Sequence, residues 1–125
     1  MNAIELAHQA YAPTQTHLRN ERSTELQLFG EITARLKNAL ADGSKNHPKL
    51  VAALHQNRQL WNTIAVDVAN DENALPRQLR AQLFYLAEFT QLHTSKVLRH
   101  EADVTALIDI NRAVIAGLGQ SEHIS

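Results

Sequence analysis

The 125-residue chain contains no cysteine. That excludes disulfides, thiolate metal sites and a cysteine nucleophile, and it fits a reducing compartment. Only three prolines and four glycines interrupt it, so most of the chain is free to be helical. Nowhere does an apolar run approach the roughly 20 residues of a membrane span. The opening residues Met1–Tyr11 lack the basic start and apolar core of a signal peptide. A cytoplasmic location without a membrane partner is the expectation. Neither sign of charge dominates: 12 Lys and Arg are mixed with 13 Asp and Glu. The clustered basic footprint of a nucleic-acid binder is missing, so no direct nucleic-acid contact is expected. The last quarter alone leans acidic, with Glu101, Asp103, Asp109 and Glu122 against Arg112. A chain of this length fits one domain, which buries roughly two thirds of the surface its unfolded form exposes.

What the chain does contain is helical periodicity. In Asn2–Tyr11, Ile4, Ala7 and Tyr11 fall on one face, and Pro13 ends that pattern. Pro13–Arg22 is polar and reads as a connector. Ser23–Asp42 is amphipathic, with Leu26, Phe29, Ile32, Leu36 and Leu40 in steps of three or four. Ser23 is placed to cap its start and Gly43 to end it. Gly30 marks either a close helix approach or a tolerated weak point. After a turn at Ser44–His47, Pro48 suits the first turn of a helix that runs to about Ala69. Its seam is Leu50, Leu54, Asn57, Trp61, Ile64 and Val68, with one polar member. Asn70–Asn73 is a loop by composition.

Pro76 opens a helix to about His100, with Leu79, Leu83, Leu86, Thr90, His93 and Val97 on one seam. Phe84, Ala87 and Phe89 add apolar surface elsewhere, which predicts a central position for this helix. Asp103 is placed to cap a last helix whose wide apolar face runs from Val104 to Leu118. Gly117 and Gly119 are expected to end it, and 120–125 to be a disordered tail behind a domain of residues 1–119. The prediction is an all-α, single-domain helical bundle of about four to five helices, mostly antiparallel. Trp61, Ile64 and Val68 are expected to face Leu79, Leu83 and Leu86 across the 70–75 loop.

Little here points to catalysis. Seven histidines are scattered, without an H-E-x-x-H or E-x-x-H pair to put metal ligands on one helix face. His93 and His100 share a face but lie two turns apart, too far to hold one ion together. Asp67 and Asp71 end a helix beside a polar loop, and no desolvated carboxylate can be assigned. Phosphate-cradling glycine loops and nucleophile elbows are absent. The chain reads as neither an enzyme nor a cofactor or metal binder. Asn57 and Asn111 lie on apolar faces, where a buried amide must be hydrogen-bonded. They either fix helix register or hold the 70–75 loop, or they anchor a partner in a groove. Arg112 is placed to pair with Asp67 or Asp109.

Two blocks carry a resemblance. L-W-N-T-I-A-V-D-V-A-N-D-E-N-A-L-P-R-Q-L-R-A-Q-L and A-D-V-T-A-L-I-D-I-N-R-A-V-I-A-G-L resemble the FlaF flagellar biosynthesis regulators of alphaproteobacteria. Ala10-Tyr11 and the Glu25–Leu40 helix sit where that family has them. The signature falls on Asn57, Leu60, Trp61, Asp67, Asn73, Leu75, Pro76, Arg80, Asp109, Asn111 and Arg112, which read as structural. The resemblance implies a cytoplasmic protein needed for flagellin production and export, acting alongside the regulator FlbT. Its mechanistic form is a flagellin-binding secretion chaperone or assembly factor. The alternative is a post-transcriptional regulator of flagellin synthesis that acts with FlbT or on flagellin mRNA. A partner surface is expected on Ile4, Ala7, Tyr11, Leu26, Phe29, Ile32 and Leu36. Either a monomer or a homodimer through an exposed seam is compatible with these patterns.

Overall fold

A computed structural model describes the backbone of residues 15–42 and 47–124, and the side-chain surroundings of 24–42 and 47–117. The predicted segment at Ile4, Ala7 and Tyr11 and the cap at Gly43 lie outside the described residues. The described chain forms four α-helices: α1 (Gln15–Asp42), α2 (His47–Ala69), α3 (Arg77–Leu98) and α4 (Thr105–Ile124). No strand occurs among the described residues. The fold is an all-α bundle, as the periodicity indicates.

Packing follows the chain and then closes on itself. α1 lies on α2, α2 on α3, α3 on α4, and α4 returns to α1. This ring leaves α2 and α4 across the diagonal, and their side chains meet in the middle. Trp61 of α2 is fully buried there. Its ring meets Phe29 of α1 edge-on, with centroids 5.7 Å apart and planes at 80°, a favoured aromatic geometry. Around it α1 supplies Phe29, Ile32 and Leu36, α2 supplies Leu54 and Leu60, and the last segment supplies Val104, Leu107 and Ile108. Helix α3 contributes only Ala87 and Val97 to this buried cluster, with Leu83 and Leu86 packed partly against it.

Three expectations change here. Trp61 also reaches α1 and α4, through Phe29 and Asn111, beyond the Leu83 and Leu86 side of the core. Helix α3 is not central: Phe84, Tyr85 and Leu92 are exposed, the last two by 67% and 68%. Of its second apolar set only Ala87 is buried, Phe89 is half-buried and Phe84 is exposed, and periodicity alone does not distinguish a position that is covered from one that is not. Helix α1 begins at Gln15, so most of the expected connector Pro13–Arg22 is helical and Ser23 is interior. The run Q-T-H-L-R-N-E-R holds no glycine or proline after Pro13, and several of its residues are good helix formers.

Helix α4 likewise passes through Gly117 and Gly119 to Ile124, where a disordered tail over 120–125 was expected. Each glycine costs only ~1 kcal/mol, and no proline follows to force a stop. At Gly30 an added Cβ would meet nothing within 4 Å, so that glycine is a weak point and not a helix crossing.

The connections explain themselves through capping. Arg80 reaches back from α3 and donates from Nε to Val68 O and from Nη2 to Asn70 O, both at 2.8 Å. Asn73 Nδ2 donates to Asp67 O at 3.0 Å. Together they satisfy carbonyls that the end of α2 leaves without helical partners. Asn73 Oδ1 accepts from Leu75 N–H, and Pro76 then stands at the N-cap of α3. The far end of α3 closes with His100 in the left-handed region at φ 61°. His100 N–H bonds Val97 O and Glu101 N–H bonds Lys96 O, the paired pattern of a Schellman motif. Asp103 caps the next helix as expected, accepting from Thr105 N–H at 2.7 Å and Thr105 Oγ1 at 2.6 Å. Those bonds hold its carboxyl below the ordinary aspartate value.

Candidate functional site

Helices α1 and α2 do not close completely on each other. Between them runs an open groove of about 330 Å³. Its floor is apolar: Leu28, Phe29 and Ile32 from α1, and Leu60 and Ile64 from α2. Its rim is polar. Glu25 and Asp67 stand at one end, Gln59 and Thr63 along one side, and Arg35 and Gln56 at the other end. Arg35 Nη1 donates to Gln56 Oε1 at 2.9 Å and ties the two helices together there. The floor follows from the core. Phe29, Ile32 and Leu60 each turn one flank inward, and Leu28, one step off that stripe, remains 40% exposed. An apolar residue off the buried stripe is the signal in the sequence that α1 has a second face to cover.

Beneath the floor lies a chain of buried polar groups. Trp61 Nε1–H donates to Asn111 Oδ1 at 3.0 Å. Asn111 Nδ2 donates to Asn57 Oδ1 at 2.8 Å. Both amides are fully buried. An indole can only donate, so Asn111 must present its oxygen to Trp61 and its nitrogen to Asn57. Asn57 must answer with oxygen, and its Nδ2 has no hydrogen-bond partner among the described residues. The tryptophan thus sets the orientation of both amides. They fix α4 against α2, as one of the two sequence readings has it. The 70–75 loop is held separately, by Asn73 and Arg80.

The family model for flagellar protein FlaF matches residues 7–118. The chain belongs to the FlaF family. No curated protein and no solved structure matches it. The residues that carry the FlaF resemblance can now be placed. Asn57, Trp61 and Asn111 form the buried hydrogen-bonded chain. Asn73, Leu75, Pro76 and Arg80 build the α2–α3 connection. Leu60 belongs to the core and the groove floor together. Asp67 lines the groove. Asp109 and Arg112 are exposed on α4. The ion pairs among the described residues are Lys49–Asp42 and Arg99–Glu101, so Arg112 pairs with neither Asp67 nor Asp109.

Of the residues expected to meet a partner, Phe29 and Ile32 line the groove while serving the core. Leu26 is half-buried against the core cluster. Leu36 is completely enclosed, which closes it to any partner in this conformation. The sequence reading did not single out Arg35, Gln56, Gln59, Thr63 or Leu28. Rim residues are polar and exposed like any other surface residue, and only the pairing of α1 with α2 makes them neighbours.

The FlaF chain brings no three of its His, Cys, Asp or Glu residues together as a metal site among the described residues. His93 stacks on Phe89 at 5.3 Å and donates from Nε2 to Asp103 O at 2.7 Å. It fastens α3 to the start of α4. His100 instead meets His47, ring centroids 5.8 Å apart, at the end of the bundle where α2 starts and α3 stops. That pairing is invisible to local spacing. Among the described residues no helix is long and apolar enough to cross a membrane.

Proposed function

We propose that this FlaF-family chain acts in the cytoplasm as a flagellin-binding secretion chaperone or assembly factor, without catalysis. It holds unassembled flagellin for export, and FlbT is a further protein partner in the same control. The observation that carries this reading is the groove between α1 and α2, apolar along its floor and polar around its rim. Grooves of that kind receive amphipathic helices, whose apolar face they cover. Terminal flagellin segments are amphipathic and form coiled-coil structure only in the filament, so before assembly they need such a cover. Family membership supports a flagellar role. The buried signature residues support the bundle that presents the groove.

Coexpression with the cognate flagellin followed by size-exclusion chromatography tests the reading. A single co-eluting complex at micromolar concentration is the expected result, weakened by Leu28→Asp or Ile64→Lys on the groove floor. Separate peaks, or a complex indifferent to both substitutions, would remove direct binding at this site. Salt-dependent binding to the flagellin leader RNA would favour action on the message instead. A truncation of residues 1–14 is the appropriate companion variant, because it leaves α1 whole from Gln15.

A further inference from the structure

The groove between α1 and α2 differs at its two ends. Asp67 and Glu25 line one end, and Arg35 lines the other. Arg80, which caps the end of α2, is not among the lining residues. From Glu25 to Arg35 the wall of α1 rises ten residues, about 15 Å of α-helix. Along that length the floor presents Leu28 and Ile32 from one wall and Leu60 and Ile64 from the other. Each pair is four residues apart, so each stacks on one face of its helix and forms a ridge.

An extended segment fits this floor poorly. It would lay its own N–H and C=O groups on apolar side chains between two helices whose backbones are already bonded, and each group left unpaired is costly. A helix satisfies its backbone internally and offers a matching ridge. We infer that the groove receives an amphipathic partner helix of about three turns, running parallel to α1. Its basic N-terminal end lies at Asp67 and its acidic C-terminal end at Arg35. Both the helix dipole and the side-chain charges favour that direction over the reverse. This rests on the groove's being the docking site named in the proposed function; it adds the length, the charge pattern and the direction of what binds.

The test uses the full-length protein with methyl-labelled leucine and isoleucine, titrated with two synthetic peptides stapled into helices, so that neither peptide's own charges decide whether it is helical. Both carry Leu at i, i+3, i+4 and i+7. One has two Lys in its first turn and two Glu in its last, and the other has these exchanged. The expected result is movement of the Leu28, Ile32 and Ile64 methyl signals by both peptides. The Lys-first peptide should bind about tenfold more tightly at low salt. That preference should shrink as salt shortens the screening length. The exposed-site double variant Asp67→Lys, Arg35→Glu should invert it. Equal affinities would overturn the direction. Signals that move only on the α3 face, at Leu92, or a groove already filled by a second copy in the peptide-free protein, would overturn the site.

Flagellin itself separates this inference from the one beneath it. Flagellin that binds while the Leu28 and Ile64 signals stay still removes the groove and keeps the chaperone. Peptides that bind with the stated preference while flagellin does not bind keep the groove and remove flagellin as its occupant.

Discussion

Replacing Asn111 by alanine should be markedly worse than replacing Asn57 by alanine, although the two amides are equally buried and bonded to each other. Asn111 is the middle of the chain. Its loss strands two buried groups, the Trp61 N–H and the Asn57 carbonyl oxygen. A stranded buried group costs ~1–3 kcal/mol, so the expected loss is about 2–6 kcal/mol. That is a large part of the ~5–15 kcal/mol that holds a typical domain together. Asn57 is the end of the chain. Its loss strands only Asn111 Nδ2 and also removes Asn57 Nδ2, which has no partner among the described residues. The difference between the two variants should be about one stranded group, ~1–3 kcal/mol. The double variant should lose less than the sum of the singles, because removing Asn57 after Asn111 relieves a stranded oxygen. Urea unfolding followed by far-UV circular dichroism measures all three, with equal m-values confirming that the same transition is compared. Asn57→Ala as costly as Asn111→Ala, or singles additive within ~0.5 kcal/mol, would refute the directed chain.

Further outcomes follow from the same structure. Gly30→Ala should raise stability by about 0.5–1 kcal/mol, since the new methyl meets nothing; thermal unfolding at matched concentration checks it. Arg80→Lys should lose about 1–2 kcal/mol, because an ammonium cannot replace a fork that spans Val68 O and Asn70 O; amide exchange in the last turn of α2 should quicken. His100→Gly should gain up to ~1 kcal/mol by relieving a left-handed non-glycine residue, measured as a higher unfolding midpoint; no gain would mean that the His47 contact offsets the strain. For Asp103, the bonds from Thr105 lower the folded value beneath the ordinary 3.8. Its contribution is therefore complete above that pH and is lost as the pH falls through the lowered folded value. Asp103→Asn, which cannot titrate, should differ from the unaltered protein most at neutral pH and converge with it under acid unfolding.

Much of this fold was legible because its helices are long and their apolar faces regular. The seam Leu50–Val68 and the end of α2 at Ala69 follow from periodicity and composition. Asn57 and Asn111 stood out as amides on apolar faces, and they are bonded to each other. The failures have a common cause. Where α1 begins and α4 ends depended on whether weak local signals, polar residues before Ser23 and two glycines late in the chain, outweigh the cooperativity of a helix already formed. Which stripe of α3 is covered, and which helices Trp61 faces, depend on non-local packing. The groove is half legible: Phe29 and Ile32 fall on the face expected to meet a partner, but the acidic end pairs Glu25 of α1 with Asp67 of α2, which are neighbours only through packing.

The single tryptophan has a consequence for how the protein can be watched. Its N–H bond is made to the last helix, across 50 residues of chain, whereas the α2–α3 contacts through Arg58 span 33 and 37. Closing the longer loop costs more entropy before any contact rewards it, though only slightly more. The discriminating term is register: sliding α4 by one turn, ~5.4 Å, moves Asn111 out of reach of the indole. Only one alignment of α4 satisfies the buried donor, and α1 closes the other side of the ring. Trp61 emission therefore reports the closure of α1 and α4 over the indole, through Phe29 and Asn111 together. A red shift that precedes the loss of helical signal would mark a species with one of these helices released, and Phe29→Leu against Asn111→Ala separates α1 from α4.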